Sequence, residues 1–107
     1  MNATAKNIML DYLATLAVKA SLHIANGDEV SGGTYARQTI TWGSASGGSL
    51  SDTSIPAFNI PASTTVSSVK LWNSAGTVEY ASFDVTDETF TNAGTYTITD
   101  LTLDLNK

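Results

Sequence analysis

The residues of this chain that could do chemistry are a lone arginine, a lone histidine and a scatter of carboxylates. Arg37 stands in "GGTYARQTITW", residues 32–42, with two glycines ahead of it, Tyr35 and Trp42 on either side and β-formers around it. A planar guanidinium in that setting suits a forked bond to a carboxylate across a strand, or stacking on an aromatic ring. No second cation and no phosphate-cradling loop accompanies it. Arg37 therefore reads as a structural pin that can also present a donor to a neighbouring subunit.

His23 lies in "VKASLHIAN", on the same parity as Lys19 and Ser21, which predicts a solvent-facing strand residue. A small hydrolase built on His23 would need Ser and Asp brought to it, and the chain has no GxSxG elbow. The acids pair as Asp28–Glu29 and Asp87–Glu88, with Asp84 opening "DVTDE". They offer oxygen donors that calcium would accept, but no calcium-loop pattern surrounds them, and they read as acids that solvate turns. A glycosidase would need two carboxylates held at a set separation, and ten acids always contain pairs. Trp42, Trp72, Tyr80 and Phe83 could line a sugar platform, although aromatics in a small β-domain more often fill a core or a protein interface. The absence of cysteine excludes disulfides and thiolate metal sites. No catalytic residue, metal or cofactor is expected.

Composition narrows the partners. The 107 residues suit a single domain, long enough to bury roughly two-thirds of the surface of the unfolded chain. Ten acidic residues against five basic ones leave a net charge of −5, and only 14% of the residues are charged. Neutralising phosphates takes clusters of Lys and Arg, so nucleic acid and anionic membranes are poor partners. The apolar stretch in "MNATAKNIMLDYLATLAVKA" is interrupted by Asp11 and Tyr12 and preceded by one basic residue, which predicts mature protein rather than a signal peptide.

The spacing predicts a helix over 3–16, within an N-terminal segment 1–17, with Asn2 or Thr4 as cap and Ile8, Tyr12, Leu13 and Leu16 along one stripe. From residue 18 the period changes to two. "VKASLHIAN" and "YARQTITW" predict strands, the latter with Ala36, Gln38, Ile40 and Trp42 on one face. "GSASGGSLSDTS" predicts a mobile loop. "IPAFNIPA" belongs at a sheet edge because of its prolines. "VSSVKLWN" and "TVEYASFDV" form a hairpin through "NSAG". In "TYTITDLTLDLN" the parity shifts between Ile98 and Leu101, which requires a bulge near Thr99–Asp100 or a move from one sheet to another. The fold expected is mainly β, an antiparallel sandwich or small barrel of about six strands, jelly-roll-like, with one N-terminal helix over an open end or face.

The pattern "EVSGGTYARQTITW" (residues 29–42), with "FNIPASTTVSSVKLWNSAG" and a terminal "TYTITDLTLDLNK", resembles a family of small tailed-bacteriophage virion proteins. Its members are labelled minor tail, tail-fibre or small virion components. The resemblance covers nearly the whole chain and implies no catalytic residues. It implies a non-enzymatic structural protein of the phage particle, assembled in the host cytoplasm. Within that setting a capsid decoration, or cement, protein is expected. Its partners would be the major capsid protein or other virion proteins, with homo-oligomers such as trimers. The expected contacts are Ile8, Tyr12 and Leu16 on the helix, Tyr35 and Arg37 in "SGGTYAR", Trp72, and the loop 44–55. The alternative is a tail-tip or fibre-associated protein touching host glycans through Trp42, Trp72 or Tyr80.

Overall fold

The computed structural model describes residues 2–98 and 101–105. Helix α1 spans Ala3–Leu16. It starts where the sequence places it, because Asn2 is extended and its Oδ1 accepts the Ala5 N–H at 2.9 Å. At the other end the Ala17 N–H bonds the Leu13 carbonyl at 2.8 Å, and the Ala17 carbonyl accepts the indole N–H of Trp42 at 2.7 Å. An orphan helix-end carbonyl is thereby satisfied by a strand side chain.

Nine strands follow among the described residues: β1 (Lys19–His23), β2 (Gln38–Thr39), β3 (Thr41–Trp42), β4 (Ser49–Ser54), β5 (Phe58–Ile60), β6 (Thr64–Trp72), β7 (Glu79–Phe90), β8 (Gly94–Tyr96) and β9 (Thr102–Asp104). They form three antiparallel sheets, ordered β2-β1-β6-β7, β3-β4-β9 and β5-β8, with no closed barrel. The mainly β fold with one helix agrees with expectation, and the higher strand count has identifiable causes. Of the expected strand "YARQTITW", residues 35–37 lie outside any strand and the rest divides at Ile40, whose N–H bonds the Val18 carbonyl while its side chain enters the core. The chain there leaves the four-stranded sheet for the three-stranded one.

The terminal run makes the same kind of move. β8 pairs with β5 and β9 with β4, so Tyr96 and Ile98 on one parity and Leu101 and Leu103 on the other all reach the core. Thr99 and Asp100, where the phase change was placed, lie outside the described residues. The β6–β7 hairpin forms as expected, turning through Asn73–Gly76 with the Gly76 N–H on the Asn73 carbonyl. β7 then continues to Phe90, so "DVTDE" lies in a strand and not on a turn; a register shift between Val66 and Ser68 lets the ladder run on.

One apolar core joins the sheets, built from Ala20 and Leu22 of β1, Phe58 and Ile60 of β5, and Val66, Val69 and Leu71 of β6, with Ile40 and Ile55. The Ser/Gly loop is held against α1. Asn7 and Asp11, one helical turn apart, accept the N–H groups of Gly48 and Ala45 at 2.9 Å each, and Leu10 between them is buried. The Gly48 carbonyl also accepts the Leu105 N–H. A segment expected to be mobile is thus tied at both faces.

Candidate functional site

The residues with chemical potential converge on the outer face of β1. Residues 24–37 fold back over that face, with Val30 N–H on the Leu22 carbonyl and Ile24 N–H on the Asp28 carbonyl. The Tyr35 hydroxyl takes the Leu22 N–H at 2.9 Å and donates to Glu29 Oε2 at 2.9 Å. A side-chain oxygen thereby fills a place in the ladder that no strand occupies. The Tyr35 ring also stacks on Phe58, with centroids 6.3 Å apart.

Arg37 is the centre of this cover. Its Nε and Nη2 bond the two Glu29 carboxylate oxygens at 3.0 and 2.9 Å, a forked pair. Its guanidinium carbon lies 4.3 Å from the centroid of the Trp72 ring, and Nη1 reaches the Gly76 carbonyl in the hairpin turn. The sequence reading offered a carboxylate or an aromatic ring; Arg37 takes both and joins three segments. These contacts pin the 24–37 segment to the hairpin turn and to β6.

His23 requires a correction. It is 4% exposed, and Ser21 beside it on the same strand face is fully buried. Strand parity identified the face correctly, but the returning loop and Trp72 cover that face. The Gly27 carbonyl lies 2.9 Å from His23 Nδ1 and can only accept, so Nδ1 carries a proton, while Nε2 and the Ser21 hydroxyl share a hydrogen bond at 2.7 Å. The Trp72 indole N–H donates to the same Ser21 oxygen at 2.7 Å. The chain of bonds Trp72–Ser21–His23–Gly27 leaves no member of it unpaired. A Ser–His pair at this distance is the start of a nucleophile–base couple. Here the third partner is a backbone carbonyl and the hydroxyl has no exposed surface, so no substrate can meet it.

Electrostatics fit a static clamp. Burial pushes the Glu29 carboxyl up, but the bonds from Arg37 and Tyr35 and the Arg37 charge outweigh it and hold the group below the usual carboxylate range. The Tyr35 phenol is pushed well up, first by burial and then by its bond to Glu29. Arg37 is raised, chiefly by the bond to Glu29.

The remaining candidates separate. Trp42 belongs to β3 and closes the helix end, whereas Trp72, Tyr80 and Phe83 belong to the four-stranded sheet, and the Trp72 ring is occupied by Arg37. They do not form one sugar platform. No group of three or more His, Cys, Asp or Glu side chains among the described residues is placed to hold a metal. Tyr35, Arg37 and Trp72, expected as contact residues, direct their polar groups into the chain itself.

The helix stripe is different. Ile8 is 66% exposed, Tyr12 67% and Met9 50%, and Leu16 is half-buried beside them. Tyr12 and Leu16 join Met9, Leu10, Leu13 and Leu105 around an open apolar groove of about 300 Å³. The helix uses polar residues, Asn7 and Asp11, to hold its own domain and turns much of its apolar stripe outward. Leu10 and Leu13 still face the domain, so α1 carries apolar side chains on its inner face and on its outer face. Met9 and Leu105 were not among the expected contact residues; Met9 falls beside the Ile8–Tyr12 stripe at helical spacing, and Leu105 shares the parity of Leu101 and Leu103, which marks a strand face and not a groove beside α1. No family model, curated protein or solved structure matches the chain.

Proposed function

We propose that this chain is a non-enzymatic structural protein of a bacteriophage particle, a decoration subunit that binds neighbouring capsid subunits through the outer face of α1. The observation that carries the binding role is the exposed apolar stripe Ile8–Met9–Tyr12 on a helix whose polar side chains are engaged inward. Exposed contiguous apolar surface on a small domain marks an interaction site. The phage setting comes from the resemblance of "EVSGGTYARQTITW" and its companion segments. The burial of the Ser21–His23 pair supports a binding role over hydrolysis.

Size supports many weak sites over one strong one. Completing the burial of three partly exposed side chains is worth about 1–2 kcal/mol each, against an association cost of roughly 4–15 kcal/mol. A single α1 face therefore binds weakly, and firm attachment comes from contacts repeated by the symmetry of a shell.

The test is reconstitution. Purified protein is added to particles lacking it, and bound copies are located by electron cryomicroscopy. Density over capsid subunits with α1 against them, and greater resistance to heat and low ionic strength, is the expected result. Particles equally resistant with and without the protein would overturn the cement role, and density confined to the tail would replace it with the tail reading.

A further inference from the structure

We infer that the Asn26–Gly27 turn is a self-modifying site, at which the folded protein converts Asn26 to aspartate and isoaspartate through a cyclic imide. The turn is exposed and bounded by β1 and Glu29, which bridges to His23. The reaction needs the Gly27 nitrogen to reach the side-chain carbonyl carbon of Asn26 unhindered. Gly27 has no side chain, sits at a φ of +94°, and has open space where a Cβ would be.

The neighbouring residue supplies the rest. The Asn26 side-chain oxygen, which gathers negative charge as the nitrogen adds, accepts the Asp28 N–H at 2.9 Å. The amide nitrogen that must leave lies 3.2 Å from the Asp28 carboxylate. In the first step the bond from Gly27 N to Asn26 Cγ forms and the Cγ–Nδ2 bond breaks. The amide group departs as ammonia, taking up the proton lost from the Gly27 nitrogen. Water then opens the imide at either carbonyl. Opening at Cγ gives aspartate, and opening at the backbone carbonyl gives isoaspartate, with one extra carbon in the main chain.

Two bonds restrain the step. The Gly27 N–H is held on the Ile24 carbonyl at 2.9 Å, and the Gly27 carbonyl is held by His23 Nδ1. The proton must leave the first bond before the nitrogen can attack, so the turn has to open, and buried His23 sets how often it does. Surface chemistry at Asn26 and the internal Trp72–Ser21–His23 chain are therefore coupled through one carbonyl. Formation of isoaspartate would draw that carbonyl from His23 and place a new carboxylate beside Asp28 and Glu29.

The experiment incubates the full chain, folded and in urea, in mildly alkaline buffer, and follows position 26 by peptide-mapping mass spectrometry with an isoaspartyl methyltransferase assay. The expected result is a gain of one mass unit at Asn26 in the folded chain, slower than in urea, and its absence in Asn26→Gln. His23→Ala is expected to raise the folded rate several-fold. Conversion in urea with none in the folded chain over the same period overturns the proposal, and that comparison decides even where His23→Ala does not fold. A folded His23→Ala chain that converts at the wild-type rate overturns the coupling to His23.

Discussion

Arg37 illustrates what a single residue type discloses. An unaccompanied guanidinium among β-formers announces a carboxylate or an aromatic ring as partner, and that much was legible. Its actual partners, Glu29, Trp72 and Gly76, depend on residues 24–37 folding back over β1, which no local pattern encodes. His23 failed for the same reason: period-two spacing tells which face a side chain takes, not whether another segment covers that face. Two expected outcomes follow. Glu29→Gln removes one partner of a forked, half-buried pair and should cost about 2 kcal/mol at neutral pH. Because Glu29 is held below its ordinary range in the folded state, its contribution is present above that range and disappears as pH falls through the lowered value. Urea unfolding at neutral and acid pH should show the two proteins converging on acidification; a constant gap would contradict this. Arg37→Lys keeps the charge but loses the fork and the planar stack on Trp72, and should destabilise by about 1–2 kcal/mol in the same assay, where an equal midpoint would count against the clamp.

At the level of elements, legibility followed length and punctuation. The helix was readable to its bounds because Asn2 caps it, and the β6–β7 hairpin because "NSAG" marks its turn. The division of "YARQTITW" into β2 and β3 left no local mark because its period runs on through Ile40, and β7 passed through acids that ordinarily mark turns. The Ser/Gly loop looked mobile because composition says nothing of Asn7 and Asp11 waiting a turn apart on α1. The stripe on α1 was visible in the spacing, but its outward direction was settled by which side of the helix those two polar residues hold. Ile8→Asp and Tyr12→Ser should therefore leave folding stability within about 0.5 kcal/mol, since neither side chain is buried. Both should abolish attachment to particles in a co-sedimentation assay. A large drop in melting temperature would mean that the face packs within the chain, and undiminished attachment would move the contact elsewhere.

The whole molecule carries a net charge of −5 with few charged groups, and the groove beside α1 is lined by Met9, Leu10, Tyr12, Leu13, Leu16 and Leu105, with no acidic or basic side chain among them. Those two facts separate modes of attachment. A contact made by ion pairs weakens as salt screens it over a Debye length of about 8–10 Å near physiological ionic strength. A contact made by apolar burial does not; salts excluded from protein surfaces strengthen it, and cooling weakens it because the driving force near room temperature is entropic. Attachment through α1 should accordingly hold or tighten when ionic strength is raised, and loosen on cooling from room temperature toward freezing. Co-sedimentation of the protein with particles across a salt series and at two temperatures measures both. Release by moderate salt, with no loss on cooling, would transfer the contact from α1 to the charged residues of the sheets, where Glu79, Asp84, Asp87 and Glu88 lie along β7.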